Sequence, residues 1–227
     1  MIKYPAPDFK VIYNNFSEPI NQLDCGRKCA PYHPKRIPFC CDINTAIPAV
    51  YQDECRYLRQ NTDLWHLWSD KVFQTKNLKP NHILEDLPDN MILLACKGVM
   101  HCQREYRSLS CRQFPFFPYI TDNFRFLGLA YDWIFENKCW VISNLDQVSD
   151  KYRTEFVSTY DELFNDWPKE MESYAIKSEE MRTIFHQRRR RIPILHRNGK
   201  SYLLSPNNER LYLSPISKFR KFHPFQK

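Results

Sequence analysis

The sequence predicts an α+β fold, an irregular single domain organised around a cysteine metal centre, with helices and a small C-terminal antiparallel meander. Three observations predict it. Seven of the nine cysteines fall into two groups, Cys25, Cys29, Cys40 and Cys41, then Cys96, Cys102 and Cys111. Two stretches of helical period follow in the second half, and the last residues alternate short apolar runs with turn signals. A chain of 227 residues with 43% hydrophobic and 15% aromatic content can bury a core without disulfide staples, so the thiols call for a chemical explanation.

In chain order, the first 45 residues are rich in Pro, Tyr and Lys and lack a helical period, so they read as extended segments and loops. Between 44 and 68 the pattern turns helical: Ile47, Val50, Tyr51 and Leu58 stand at helical spacings, with Pro48 tolerable only in a first turn. Residues 91–96 are a short apolar run. Phe114-Pro115-Phe116-Phe117-Pro118-Tyr119-Ile120 is extended, because each proline would remove a helical donor. Residues 124–135 and 139–142, aromatic and β-branched, read as a hairpin turned at Glu136-Asn137-Lys138.

A helix over about 149–167 places Tyr152, Phe156, Tyr160, Leu163, Phe164 and Trp167 on one stripe. A second, about 169–189, carries Met171, Tyr174, Ala175, Met181, Ile184 and Phe185, and its basic end, Arg188 to Arg191, suits the negative end of a helix dipole. Ile192-Pro193-Ile194-Leu195 and Tyr202-Leu203-Leu204 flank Asn198-Gly199, a two-residue hairpin signal. Pro206-Asn207-Asn208 then leads to Leu211-Tyr212-Leu213.

Charge divides the chain unevenly. From residue 186 onward eleven Lys or Arg stand against Glu209, a balance of +10, while the preceding 185 residues carry 22 basic and 25 acidic side chains. The expected organisation is therefore a cysteine-cluster metal-binding region over 1–185 and a basic meander over 186–227 packed on the same domain. No apolar run approaches the roughly 18 residues of a membrane helix, and Met1-Ile2-Lys3-Tyr4-Pro5-Ala6-Pro7 has no apolar core of signal-peptide length. The chain reads as cytoplasmic, without a membrane partner. In a reducing compartment clustered cysteines ligate metal or do redox work more often than they form disulfides, and an odd total argues against simple pairing.

Zinc and iron sites need deprotonated thiolates converging at about 2.3 Å from a metal. Cys25 and Cys29 are close enough to share one ion across a turn. On an extended backbone the adjacent Cys40 and Cys41 would point to opposite sides, a geometry for linking two metals. Cys96, Cys102 and Cys111 follow with five and eight residues between them, and His101 beside the middle thiol. Neither group alone has zinc-ribbon or ferredoxin spacing; together they suit one multinuclear site. Arg27, Lys28, Arg104, Arg107 and Arg112 would offset several thiolates, or else are ordinary solvated charges. Cys139, in an expected strand, is either a small buried hydrophobe or an eighth ligand. Cys55 has no neighbouring thiol and is left out.

The later block, Cys96, Cys102, Tyr106-Arg107 and Cys111-Arg112-Gln113-Phe114-Pro115, resembles the YkgJ-type cysteine-cluster family of zinc- or iron-chelating domains, over about residues 25–115. Departures are the ten residues between Cys29 and Cys40, and Arg107-Ser108 where the family has Arg-Pro. The resemblance implies binding of zinc or iron, with an iron-sulfur cluster among the forms, and through distant members it points to flagellin lysine methylases. A methylase reading lacks a glycine-rich cofactor loop, since Gly26, Gly98, Gly128 and Gly199 are scattered. A Cys-His catalytic reading has His33, His66, His82, His101, His186, His196 and His223 to draw on, and nothing singles out one pair. The basic tail, with Tyr202, Tyr212, Phe219, Phe222 and Phe225, offers a nucleic-acid or acidic-protein partner, or is a solvated surface.

Overall fold

The computed structural model describes residues 7–69, 87–88 and 90–226. The chain divides into two compact units. One, the thiol unit, comprises Asp8–Asn14 and Gly26–Phe114; the other, the sheet unit, includes Asn15–Cys25 and Pro115–Lys227. No boundary between the units falls at the expected 185/186, because the tail strands continue a sheet that begins at Phe116. His82 and Lys227 lie outside the described residues.

In the thiol unit the first helix, α1 (Phe9–Asn15), falls where only loops were expected. It is under two turns long, too short for a period to show, yet Asp8 caps it by accepting the Lys10 N–H at 2.9 Å. Phe9, Ile12 and Tyr13 bury one face at helical spacing. A second short helix, α2 (Cys25–Cys29), runs across the sequence boundary of the two units, again in a segment expected to be extended. Strands β1 (Ala49–Tyr51), β2 (Trp65–Leu67) and β3 (Met91–Cys96) form an antiparallel sheet in the order β1-β3-β2, with Val50 opposite Ile92 and His66 opposite Ala95.

The helix expected over 44–68 is confined to α3 (Gln52–Asn61). Pro48 precedes β1, its carbonyl accepting the Leu94 N–H at 2.9 Å, so Val50 and Tyr51 take the strand that their branched and aromatic side chains favour. Helix α4 (Leu109–Gln113) closes the unit, with the Ser108 hydroxyl as its cap.

In the sheet unit β4 (Phe116–Ile120), β5 (Phe126–Tyr131), β6 (Ile192–His196), β7 (Ser201–Leu204) and β8 (Leu211–Leu213) form one antiparallel sheet in chain order. The hairpin expected at 136–138 is absent from this architecture. The chain turns instead at 121–125, where the Thr121 hydroxyl accepts the Arg125 N–H at 2.9 Å and Phe124 takes φ +57°. Cys139 consequently follows a turn at 136–138, after a 3-10 segment at Trp133–Phe135, and is not in a strand. Helices α5 (Asp150–Asp166) and α6 (Pro168–Gln187) agree with expectation. Ser149 caps α5 by accepting the Tyr152 N–H at 3.1 Å, and Pro168 starts α6 where its missing donor is harmless.

Tyr152, Phe156, Tyr160 and Leu163 are fully buried along α5, and the Phe156 and Tyr160 rings lie 4.7 Å apart. The β6–β7 connection has four residues, 197–200, rather than two: the His196 N–H bonds the Lys200 carbonyl at 2.9 Å, and Gly199 holds φ +83°. Several tail cations are part of the fold. Arg190 grips both oxygens of Glu136 at 2.8 and 2.9 Å, Arg197 pairs with Asp161, and the Arg191 guanidinium lies 4.1 Å from the Tyr212 ring centre. Among the described residues no helix is long and apolar enough to cross a membrane.

Gly128 of β5, opposite His196 of β6, adopts φ +138°. A Cβ there would stand 2.8 Å from the Arg197 nitrogen and 2.9 Å from His196 Cα, with the Leu195 carbonyl oxygen nearer still. Gly128→Ala is expected to destabilise the sheet unit by about 2–4 kcal/mol, read from chemical denaturation. Wild-type stability in this variant would contradict the closeness of β5 and β6.

Candidate metal centre

The thiol unit contains Cys29, Cys40, Cys41, Cys55, Cys96, Cys102 and Cys111, whereas Cys25 and Cys139 belong to the sheet unit. All nine are thiols. Cys96 ends β3 opposite Trp65. Gly98, at φ +95°, then reverses the chain into a 3-10 turn at Val99–His101 that delivers Cys102. Cys111 stands in the middle of α4, its N–H donating to the Ser108 hydroxyl at 3.3 Å. Cys40 and Cys41 occupy a 3-10 turn at Phe39–Cys41, not an extended segment, so their side chains diverge by about 120° and do not face opposite sides.

Four of these thiols act on one another. Burial pushes the Cys96 thiol up, and the fields of Cys41 and Cys102 add to it. Burial pushes Cys111 up to about 12, against the Ser108 hydroxyl, with Cys41 and Cys96 raising it further. Burial opposes the charge on Arg107, yet its Nε–H donates to Cys102 Sγ at 3.2 Å, and that bond with the fields of Cys102, Cys111 and Cys41 holds the guanidinium charged. Cys41, Cys96, Cys102 and Cys111, from separate segments, thus share one neighbourhood with a cation. Among the described residues no three His, Cys, Asp or Glu side chains converge closely enough to hold a metal ion. The donor chemistry suits zinc or iron, and the sulfurs stand apart.

The other thiols have different surroundings. Cys29 is buried in α2, its thiol donating to the Gly26 carbonyl at 3.5 Å. Cys25 contributes to raising the Tyr152 phenol, which burial dominates. Cys139 is 8% exposed. Cys55 is buried on α3, and burial pushes its thiol up.

The ten residues between Cys29 and Cys40 are ordered by a buried polar pair absent from the sequence reading. His33 Nδ1 accepts the Lys35 N–H at 3.1 Å, so Nε2 carries the proton and donates to Asp42 at 3.1 Å. Burial works against the Asp42 carboxylate, but Lys35 and Asn44 bond it and hold it below its ordinary range. His33 is thereby a positioning group for the loop that ends in Cys41. Of the other histidines considered, His186 bonds the Asn207 side-chain oxygen at 2.5 Å and His196 accepts the Asn198 N–H at 3.1 Å.

Arg112 is likewise structural. It donates to the carbonyls of Arg107 at 3.0 Å, Tyr13 at 3.1 Å and Glu105 at 2.5 Å, and lies 4.1 Å from the Tyr13 ring centre. Sequence reasoning missed Glu54 altogether. Its carboxyl is completely buried and accepts from the Tyr13 hydroxyl at 2.6 Å, the Leu109 N–H at 2.5 Å and the Tyr51 N–H at 3.3 Å. The available signal was position: a glutamate in line with Cys55 and Leu58 on the apolar face of a helix. No family model matches the chain, and no curated protein and no solved structure matches it.

Burial raises Glu54 from 4.5 to about 7, against the hydrogen bonds and Arg112 that favour its charge. Its contribution to stability is therefore fully present below about 4.5 and is lost as pH rises through about 7. Wild-type protein is expected to lose on the order of 3 kcal/mol across that window, at about 1.4 kcal/mol per pK unit. In Glu54→Gln this component of the slope should vanish; denaturation at a series of pH values gives the comparison, and parallel slopes would refute it.

Proposed function

We propose that the chain is a metal-binding protein that takes zinc or iron, including an iron-sulfur cluster, through clustered cysteine thiolates. The observation that carries this reading is the mutual electrostatic influence of Cys41, Cys96, Cys102 and Cys111 around Arg107. Core packing alone gives no reason to gather four thiols from distant segments beside a half-buried guanidinium. Cys25, Cys29, Cys40 and Cys139 are the remaining candidates. The block from Cys111 to Pro115 supports the same chemistry through its resemblance to the YkgJ-type family, and a reducing compartment such as the cytoplasm suits it.

Ligation requires the sulfurs to lose their protons and close around the ion. Because burial holds Cys96 and Cys111 as neutral thiols, binding is expected to release protons and to strengthen as pH rises. Bound iron would supply electron transfer; bound zinc would supply none, leaving a structural role. Within the chain, Arg107 offsets sulfur charge, Ser108 bonds Cys111, and the His33–Asp42 pair fixes the approach of Cys41. A nucleic-acid or acidic-protein partner is a separate proposal for the tail, resting on Arg189, Lys200, Lys218, Arg220 and Lys221, which are exposed and have no carboxylate partner among the described residues.

Protein purified without oxygen is expected to carry stoichiometric zinc or iron by elemental analysis, with thiolate-to-iron absorption if the metal is iron. Cys111→Ser should lower metal affinity by at least about tenfold and reduce stability, because binding free energy is coupled to folding. Metal-free protein of full stability, unaffected by added zinc or ferrous iron, would overturn the reading.

A further inference from the structure

A second place in the molecule joins a buried charge to a cavity. Between the first turn of α5 and the β6–β7 connection lies a cavity of about 120 Å³, walled by Asp150, Arg153, Thr154, His196, Arg197 and Gly199. Arg153 is only 8% exposed. Its Nη2 donates to the carbonyls of His196 and Lys200 at 3.3 and 3.1 Å, while its buried Nε has no hydrogen-bond partner. The carboxylate it meets, Asp150 at 3.2 Å, has a side chain 93% exposed, where water screens the attraction.

A buried guanidinium normally has a complete set of partners, because an uncompensated charge in the interior is costly. Here the compensation is incomplete: Arg197, the other cation of the wall, is matched by Asp161, whereas Arg153 has only the water-screened Asp150. Burial keeps Arg153 below the usual guanidinium range even beside Asp150. Burial also keeps His196 low, against its bond from Asn198, and both Arg197 and Arg153 push it further down. The cavity has room for about four waters at roughly 30 Å³ each, a volume that a single tetrahedral oxyanion can displace.

We propose that this cavity is a binding site for one phosphate group, held by Arg153 against the β6–β7 turn, with His196 and Thr154 at its edge. The group is either free phosphate or the phosphate of a small phosphomonoester. It would add, within the sheet unit, the negative charge that exposed Asp150 supplies only weakly.

The test uses the full chain. Inorganic phosphate, titrated against sodium chloride of equal ionic strength, is expected to raise Tm saturably and to move the His196 imidazole resonances in NMR spectra. Glycerol 1-phosphate reproduces the shift if the site takes a phosphomonoester, and phosphate alone produces it if the cavity closes around the free ion. Arg153→Met should abolish both effects. Since that guanidinium also bonds two carbonyls of the turn, Asp150→Asn provides a variant that keeps it: removing the competing carboxylate should tighten phosphate binding about two- to fivefold. An unmoved Tm and unmoved His196 resonances at millimolar phosphate, or binding no tighter in Asp150→Asn, would overturn the proposal.

Discussion

The thiol unit depends on one carboxyl group. Glu54 is supplied by α3, yet the donors it accepts come from α1, from the end of β1 and from the start of α4. Three short elements besides α3, none long enough to be stable alone, converge on its two oxygens. One of those donors, the Leu109 N–H, sits at the open N-terminus of α4, so the same bond that fixes the unit's interior also fixes the helix bearing Cys111. A unit with a three-stranded sheet of short strands has little apolar area with which to define its own geometry. Directed hydrogen bonds to a buried acceptor supply that definition, and they make the interior sensitive to a single proton.

How much of this was legible in the sequence depended on the length over which a pattern repeats. Helices α5 and α6 span several turns, and the stripe from Tyr152 to Phe164 was visible because nothing else explains aromatics at that spacing. The meander was visible through its turns. Helices α1 and α2, under two turns each, had no room for a period; the cap of α1, Asp8, is local, but the rings its buried face packs on, Tyr51 and Tyr57, are some forty positions on. The hairpin at 136–138 failed differently: those residues do turn, but the segments beside them, Trp133–Phe135 and Val141–Ser143, are 3-10 and not strands, and Glu136 ion-pairs with Arg188 and Arg190, some fifty positions on. Tertiary pairing decided its role.

The candidate centre was legible as a residue list and not as a geometry. Clustering in sequence pointed to Cys41, Cys96, Cys102 and Cys111, which act on one another in the thiol unit; it also pointed to Cys25, which belongs to the sheet unit, as does Cys139, a lone cysteine read as either a buried hydrophobe or an eighth ligand. The basic residues beside the thiols were treated as interchangeable counter-charges and are not: Arg107 bonds a sulfur, whereas Arg112 bonds carbonyls. The +10 balance of the tail is similarly an overcount of surface charge, since Arg190 and Arg197 are already matched by Glu136 and Asp161.

Arg112 carries a further implication for how the segment around Cys111 tolerates change. Its planar fork reaches three carbonyls in different directions while its face rests on an aromatic ring, a task that uses geometry more than charge. Lysine, a compact ammonium on a flexible stem, preserves the charge but cannot span three fixed acceptors and stack at once. The residue works as a rigid spacer that sets the separation between the 105–107 segment and α1. Charge-preserving replacement would therefore alter the shape of the loop between Cys102 and Cys111 while leaving every sulfur in the sequence untouched.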